Sequence, residues 1–196
     1  MAITNGYCTL DNYKTYGIPD AGTNADDDAV IEKLIEMASR YIDRKTGRTF
    51  YARTETHYFD YPKTRLLKLS DDLLSVTTLT NGDGNTIADT EYNLIEYNTT
   101  PYYALELTDI STTFWQPTSS GSYLKCIQLA GSWGYSAIAP DDIEIATMDI
   151  VKNAYNRRKG KNLAGVATIT GAGVVISPAD ISDLTKDTIR HFRRRI

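Results

Sequence analysis

Apolar positions recur at steps of three and four in the first half of the chain: Val30, Ile31, Leu34, Ile35, Ala38, Tyr41 and Ile42 form one stripe. The stripe predicts a helix over residues 26–46. Asn24 and the acids Asp26, Asp27 and Asp28 offer an N-cap and first-turn negative charge, Arg44 and Lys45 fall in the last turn, and Gly47 ends the pattern. A second stripe (Ile143, Ala146, Thr147, Ile150, Val151, Ala154 and Tyr155) predicts a helix over residues 141–159. Pro140 opens it, its fixed φ suiting the first helical position, and Arg157, Arg158 and Lys159 precede the stop at Gly160.

Between the helices the period falls to two. Residues 54–59, 65–69, 74–80, 92–97, 104–107 and 124–129 are rich in β-branched, aromatic and alternating positions and predict short strands. Asn81-Gly82-Asp83-Gly84 supplies the positive φ angles of a tight hairpin, with Thr86 and Ile87 resuming beyond it. The expected fold class is α+β: two packed amphipathic helices bracket a small antiparallel β-insert over residues 50–135, and a C-terminal helical arm follows. Residues 1–25 are polar and form an N-terminal arm with one helical turn near Thr9 to Tyr16. Residues 26–160 make the main domain.

In residues 161–196, a Gly-rich, β-branched stretch without charge after Lys161 predicts a mobile loop able to order as a strand on a partner. A third helix follows, with Ser177 as cap, Pro178 in first position and Ile181, Leu184, Ile189 and Phe192 on its apolar side.

Composition bounds the function. A chain of 196 residues, 41% hydrophobic and 23% charged, is one globular domain or one domain with an extension. No run of about 18 apolar residues occurs, and residues 1–5 lack the basic and apolar regions of a secretion signal, so synthesis in a cytoplasm is expected. A net charge of -4 argues against a general nucleic-acid binder, since phosphate neutralisation needs a basic face. The charge is uneven, however, because residues 190–196 hold four arginines. These serve the helix dipole, DNA phosphates or an acidic protein surface, the last being preferred for an acidic chain. Tyrosine is over-used, 14 against 4 phenylalanines, which suits subunit interfaces and equally the wet face of a β-domain.

Candidate chemistry is thin. The two histidines, His57 and His191, fall in a predicted strand and a basic tail, and no GxSxG elbow accompanies them. Cys8 and Cys126 stand far apart without a CxxC, which supports neither a zinc site nor a disulfide framework. Acid pairs at residues 26–28, 71–72 and 141–142 lie at predicted turns or helix starts, where capping accounts for them. The run from Asn81 to Asp89 faintly resembles a calcium loop but has Thr86 where glycine is needed and Tyr92 where a bidentate Glu is needed. No GxxxxGK phosphate loop occurs. No catalytic, cofactor-binding or metal residue is assigned, and an enzyme is not expected.

The order of parts resembles the head-tail connector (adaptor, or head-completion) proteins of tailed bacteriophages and gene transfer agents, the subgroup with a long β-insert. The residues that carry it are DAVIEKLIEMASRYID (28–43), TGRTF (46–50), LLSVTTL (73–79), the Asp83-Gly84 turn, EYNL (91–94), AGSWGY (130–135) and APDDI (139–143), with Val151, Tyr155, Arg157 and Arg158 beyond. The resemblance implies a structural virion protein at the head-tail interface, made in the host cytoplasm. It would be a ring subunit, commonly one of twelve, between the portal and a tail-completion or stopper protein, sealing the channel through which packaged DNA passes, with no cofactor and no membrane. Residues 26–46 and 141–159 would form the ring wall. The C-terminal arm would dock on the portal through Arg190, Phe192, Arg193, Arg194 and Arg195, and its removal would spare folding. Asn81 and Asp83 in the hairpin and Trp115 in the loop of residues 109–122 are candidates for tail-side or inter-subunit contact. The competing class is a small soluble binding module that uses the Tyr-rich insert as a ligand cleft.

Overall fold

The computed structural model describes residues 3–17, 25–110, 112–158, 168–170, 173–175 and 181–194. The chain divides into two compact units, Met1–Gly47 with Ala139–Ile196, and Arg48–Ile138. The fold is α+β, as the alternation of periods predicts.

The first unit is helical. Its long helices are α2 (Asp28–Thr46) and α3 (Asp141–Arg158). Each buries the stripe that the three-and-four spacing marks: Ile31, Ile35, Ala38 and Ile42 on one, Ile143, Ala146, Ile150 and Val151 on the other. The two helices pack antiparallel, since the Tyr155 hydroxyl near the end of α3 donates to Asp27 at the start of α2 at 2.7 Å. A short 3-10 turn, Ala25–Asp27, precedes α2, and Asp27 occupies the N-cap, its carboxylate turned to Tyr155 rather than to the N–H groups of the first turn. Asn24, the expected cap, lies outside the described residues, as do Lys159 and Gly160 at the far end of α3. At its own C-terminus α2 ends on Gly47 at φ 68°, a left-handed position that glycine takes without a Cβ clash. Helix α3 starts at Asp141, and the Pro140 carbonyl accepts from the Ile143 and Glu144 N–H groups.

The N-terminal segment is no free arm. Helix α1 (Leu10–Asn12) is capped by Thr9 and runs into a π turn, Tyr13–Gly17, at the position expected for a single helical turn. Tyr7, Cys8 and Tyr13 are buried. Tyr7 donates its backbone N–H to the buried Ser39 hydroxyl at 3.0 Å and its phenol to Asp43, while Glu36 accepts from the backbone N–H groups of Thr4 and Asn5. These bonds lay residues 3–13 along α2.

The second unit is an antiparallel sheet. Its strands are β1 (Arg53–Phe59), β2 (Leu66–Thr80), β3 (Thr86–Ile87), β4 (Tyr92–Ile95), β5 (Tyr102–Leu107) and β6 (Ile127–Trp133). The order is β1-β6-β2-β5-β4, with β3 hairpinned onto the end of β2. One face carries the core: Leu67, Leu69, Leu73, Leu79, Leu105, Leu107, Ile127, Leu129 and Trp133 are all buried. The sequence splits β2 into two strands at Ser70-Asp71-Asp72, whereas the structure runs one strand through them. Register shifts at this point let the first half pair with β5 and the second with β6. Asp71 and Asp72 are therefore not turn residues. Asp72 is almost fully buried against the Arg48 guanidinium at 2.8 Å, and Asp71 meets Arg53 at 2.5 Å. Burying a carboxylate in a strand requires such a partner, and both arginines lie far off in sequence.

Strand β6 begins three residues later than the alternation predicts. Lys125 adopts φ 49°, which breaks the extended run of residues 124–126 before Ile127. Outside the large sheet, β7 (Thr168–Thr170) and β8 (Gly173–Val175) pair as a two-stranded ribbon, consistent with the strand-forming character of that stretch. Helix α4 (Asp183–His191) completes the helical unit.

Candidate interaction surfaces

Of the residues expected to dock on a portal, Arg190 lies on helix α4, Phe192 is its C-cap, and Arg193 and Arg194 follow it. Its start is set by Ser182, whose hydroxyl accepts from the Thr185 N–H at 3.2 Å; Ser177 and Pro178, the expected start, lie outside the described residues. Asp149 on α3 accepts from the hydroxyls of Ser182 at 2.8 Å and Thr185 at 2.7 Å. A carboxylate gathering hydroxyl donors at a helix N-terminus is a charge-assisted clamp. At the other end, the Arg194 N–H donates to the Thr46 carbonyl of α2 at 2.8 Å. Between these ties Ile189 is buried and Phe192 is only 8% exposed.

The C-terminal helix is thus a third layer on α2 and α3, not the detachable arm that its sequence position suggests. Phe192 is a core anchor rather than a docking group: an apolar stripe on a short helix is covered wherever a neighbouring helix offers its own. Arg190 and Arg193 remain exposed, Arg190 with Asp187 at 2.7 Å. Arg194 is half-buried, and Arg195 lies outside the described residues.

The hairpin candidates divide in the same way. Asn81 is only 4% exposed, and its side chain is fully engaged. It donates to the Phe114 carbonyl at 2.8 Å and accepts from Gly82 N–H at 3.0 Å and Gln116 N–H at 2.8 Å. This asparagine staples the turn to residues 114–116. Gly82 lies so close to that segment that a Cβ would stand 2.1 Å from the Gln116 carbonyl; Gly84 takes the positive φ, 88°. Asp83 is exposed, accepting from the N–H and the amide of Asn85. Trp115 is buried, its indole N–H donating to the Arg65 carbonyl at 3.0 Å. The exposed aromatic there is its neighbour Phe114, stacked under the Arg65 guanidinium at 5.3 Å. The sequence placed Asn81, Asp83 and Trp115 in two loops that pack on each other. It did not separate residues that build them from residues that face outward, because tryptophan and phenylalanine serve either role.

The other singled-out groups are structural. The His57 ring stacks on Trp133 at 3.8 Å and lies 3.1 Å from Glu55, and the Trp133 indole N–H donates to the Glu55 carbonyl at 3.1 Å. Cys8 and Cys126 are buried free thiols. Burial, with the Glu144 charge second, pushes the Cys8 thiol up to about 12, and burial raises that of Cys126. Neither is a ready nucleophile. Among the described residues no cluster of three His, Cys, Asp or Glu side chains has metal-site geometry. No helix is long and apolar enough to cross a membrane among those residues.

Two of the clefts that open among the described residues lie in the helical unit. One, of about 680 Å³, lies beside the first half of α3 and is lined by Tyr16, Asp141, Glu144 and Ile145. The other, of about 220 Å³, is lined by Met37, Tyr41, Arg44, Ala154 and Arg157.

A helical layer joined to a β-insert defines a fold, and that fold is found in solved particle structures. The chain superposes on a chain in a structure of the neck of an empty gene transfer agent particle, computed with C6 symmetry, with a TM-score of 0.61 and 15% identity, covering 100% of this chain and 94% of that one. It matches a chain in the virion of a native gene transfer agent particle with a TM-score of 0.60 and 16% identity, again over 100% and 94%. No family model and no curated protein matches the sequence. At this identity the likeness is one of fold.

Proposed function

We propose that this chain is a structural subunit of the neck of a phage-like particle, a ring component between the portal and the tail or stopper that seals the channel for DNA. The observation that carries this reading is the fold match, which spans the whole of this chain and nearly the whole of a chain in a particle neck. The match includes both helices and the insert, so it is not a likeness of one common motif. The ordered sequence features, from residues 28–50 to Pro140-Asp141-Asp142-Ile143, support the same assignment. The portal contact then falls to the exposed Arg190 on a firmly packed helix and Arg193 just beyond its end, with Phe192 holding that helix in place. The tail-side or inter-subunit contact falls to Asp83 and Phe114. An acidic chain suits a lumen that passes DNA without gripping its phosphates. The partners are further copies of itself, twelve in the virion, the portal and a tail-completion protein; its place is the virion's head-tail interface, after synthesis in the host cytoplasm.

The test is mass by light scattering over a wide concentration range, alone and with the portal protein of the same particle. Rings or a stoichiometric portal complex are expected. A strict monomer that binds no portal would overturn the assignment, and its stabilisation by a small ligand would favour the binding module.

A further inference from the structure

We infer that the two clefts of the helical unit mark two unlike flanks that meet each other, head to tail, between successive copies of this chain. The inference deepens the ring reading and rests on it.

The first flank is acidic with an apolar knob. Tyr16 is 75% exposed and Ile145 53% exposed, both lining the larger cleft with Asp141 and Glu144. Asp141 is exposed, and Glu144 accepts from the Asn12 amide at 2.6 Å, which holds the Tyr16 segment against α3. Asp149 also lines this cleft, its carboxylate occupied by α4, and Lys152 is the one cation among the described lining residues. The second flank is basic with an apolar floor. Met37, 48% exposed, lies with Tyr41, Ile150 and Ala154 between the guanidinium-bearing Arg44 and Arg157. The Lys45 ammonium, 5.6 Å above the Tyr41 ring, adds to the positive side. No carboxylate lines this cleft among the described residues.

Three physical points select a second copy as the occupant. Exposed apolar side chains with a polar rim are the composition of a protein contact, and here one rim is mainly acidic and the other basic. The smaller cleft is below the usual 300 Å³ or so of a ligand pocket and suits an inserted side chain instead. Ile145 and Ala154 are nine residues apart on α3, about two and a half turns, so the flanks lie on opposite sides of that helix. An isologous pairing would set carboxylates against carboxylates or guanidinium groups against each other, whereas a heterologous pairing matches them. Opposite flanks continue from copy to copy, as a ring requires.

The experiment is oxidative cross-linking of the double variant Ile145→Cys, Met37→Cys, run beside each single variant and beside the unmodified protein sized by light scattering. The native thiols are buried, so the introduced cysteines supply the reactive pair. A ladder of covalent dimers, trimers and larger species is expected from the double variant only. Reversing the basic rim with Arg44→Glu and Arg157→Glu should weaken self-association about tenfold or more. If the unmodified protein assembles but the double variant gives no ladder, or Ile145→Cys alone gives dimers, or the rim reversal leaves association unchanged, these flanks are not the contact and the ring reading stands without them. A protein that stays monomeric and binds no portal overturns both.

Discussion

Replacing Phe192 with alanine separates anchoring from docking. Complete burial of a phenylalanine ring gives a truncation cost of about 3–5 kcal/mol, from lost transfer energy and the cavity left behind. Phe192 is 8% exposed and sits at the C-cap of α4, where the end of the helix can settle into part of the gap, so the lower end, about 3 kcal/mol, applies. With a urea dependence of about 1–3 kcal/mol per molar, the unfolding midpoint of the helical unit should fall by about 1–3 M. Helical circular dichroism follows that unit, while tryptophan fluorescence follows the β-unit, because Trp115 in its loop and Trp133 in β6 both lie there. Arg190→Ala and Arg193→Ala remove exposed side chains, and the Arg190 pair with Asp187 is solvated, so each should move the dichroism midpoint by less than about 0.5 kcal/mol equivalent. If Phe192→Ala unfolds like the unmodified protein and loses only portal attachment, Phe192 is a docking side chain and the packing argument fails.

Two further outcomes follow from buried polar and titratable groups. Asn81→Ala strands the Gln116 and Gly82 N–H groups and the Phe114 carbonyl, at a cost of about 2 kcal/mol or more. Fluorescence-detected denaturation reads it through the adjacent Trp115, and a change under about 0.5 kcal/mol would contradict the staple. The thiols give a pH signature. In the folded chain Cys8 keeps its proton from the ordinary 9.0 up to about 12, while the unfolded chain releases it above 9.0. The folded state then holds more protons, so stability is intact below that ordinary value and falls as pH rises through this window. Burial of Cys126 and Tyr13 acts in the same direction. Denaturation midpoints that stay level across this alkaline range would refute it, as would rapid reaction of either thiol with a disulfide reagent before unfolding.

The helices and their buried faces were legible because a three-and-four stripe is local: Ile31, Ile35, Ala38 and Ile42 share one side of α2 whatever surrounds it. The turn at residues 81–84 was legible for a similar reason, since its glycines answer a local demand. The length of β2 was not. Asp71 and Asp72 look like a break until Arg53 and Arg48 are brought beside them, and no window of sequence contains both halves of those pairs. Burial of Phe192, Asn81 and Trp115 was hidden for the same reason. Each is of a type that serves surface or core, and the deciding neighbour is a distant helix, a carbonyl across a loop, or a carbonyl fifty positions away.

The amino-acid sequence by itself determined the α+β class, the two helical stripes with their charged ends, and the turn at residues 81–84. Periodicity and capping act within a few residues, so both partners of each interaction lie in one short window of sequence. Only the tertiary structure decided that the N-terminal segment lies along α2, that α4 is a packed layer, and that Arg44 of α2 and Arg157 of α3 line one cleft. Those outcomes depend on which surfaces are covered, and coverage is a property of the assembled chain.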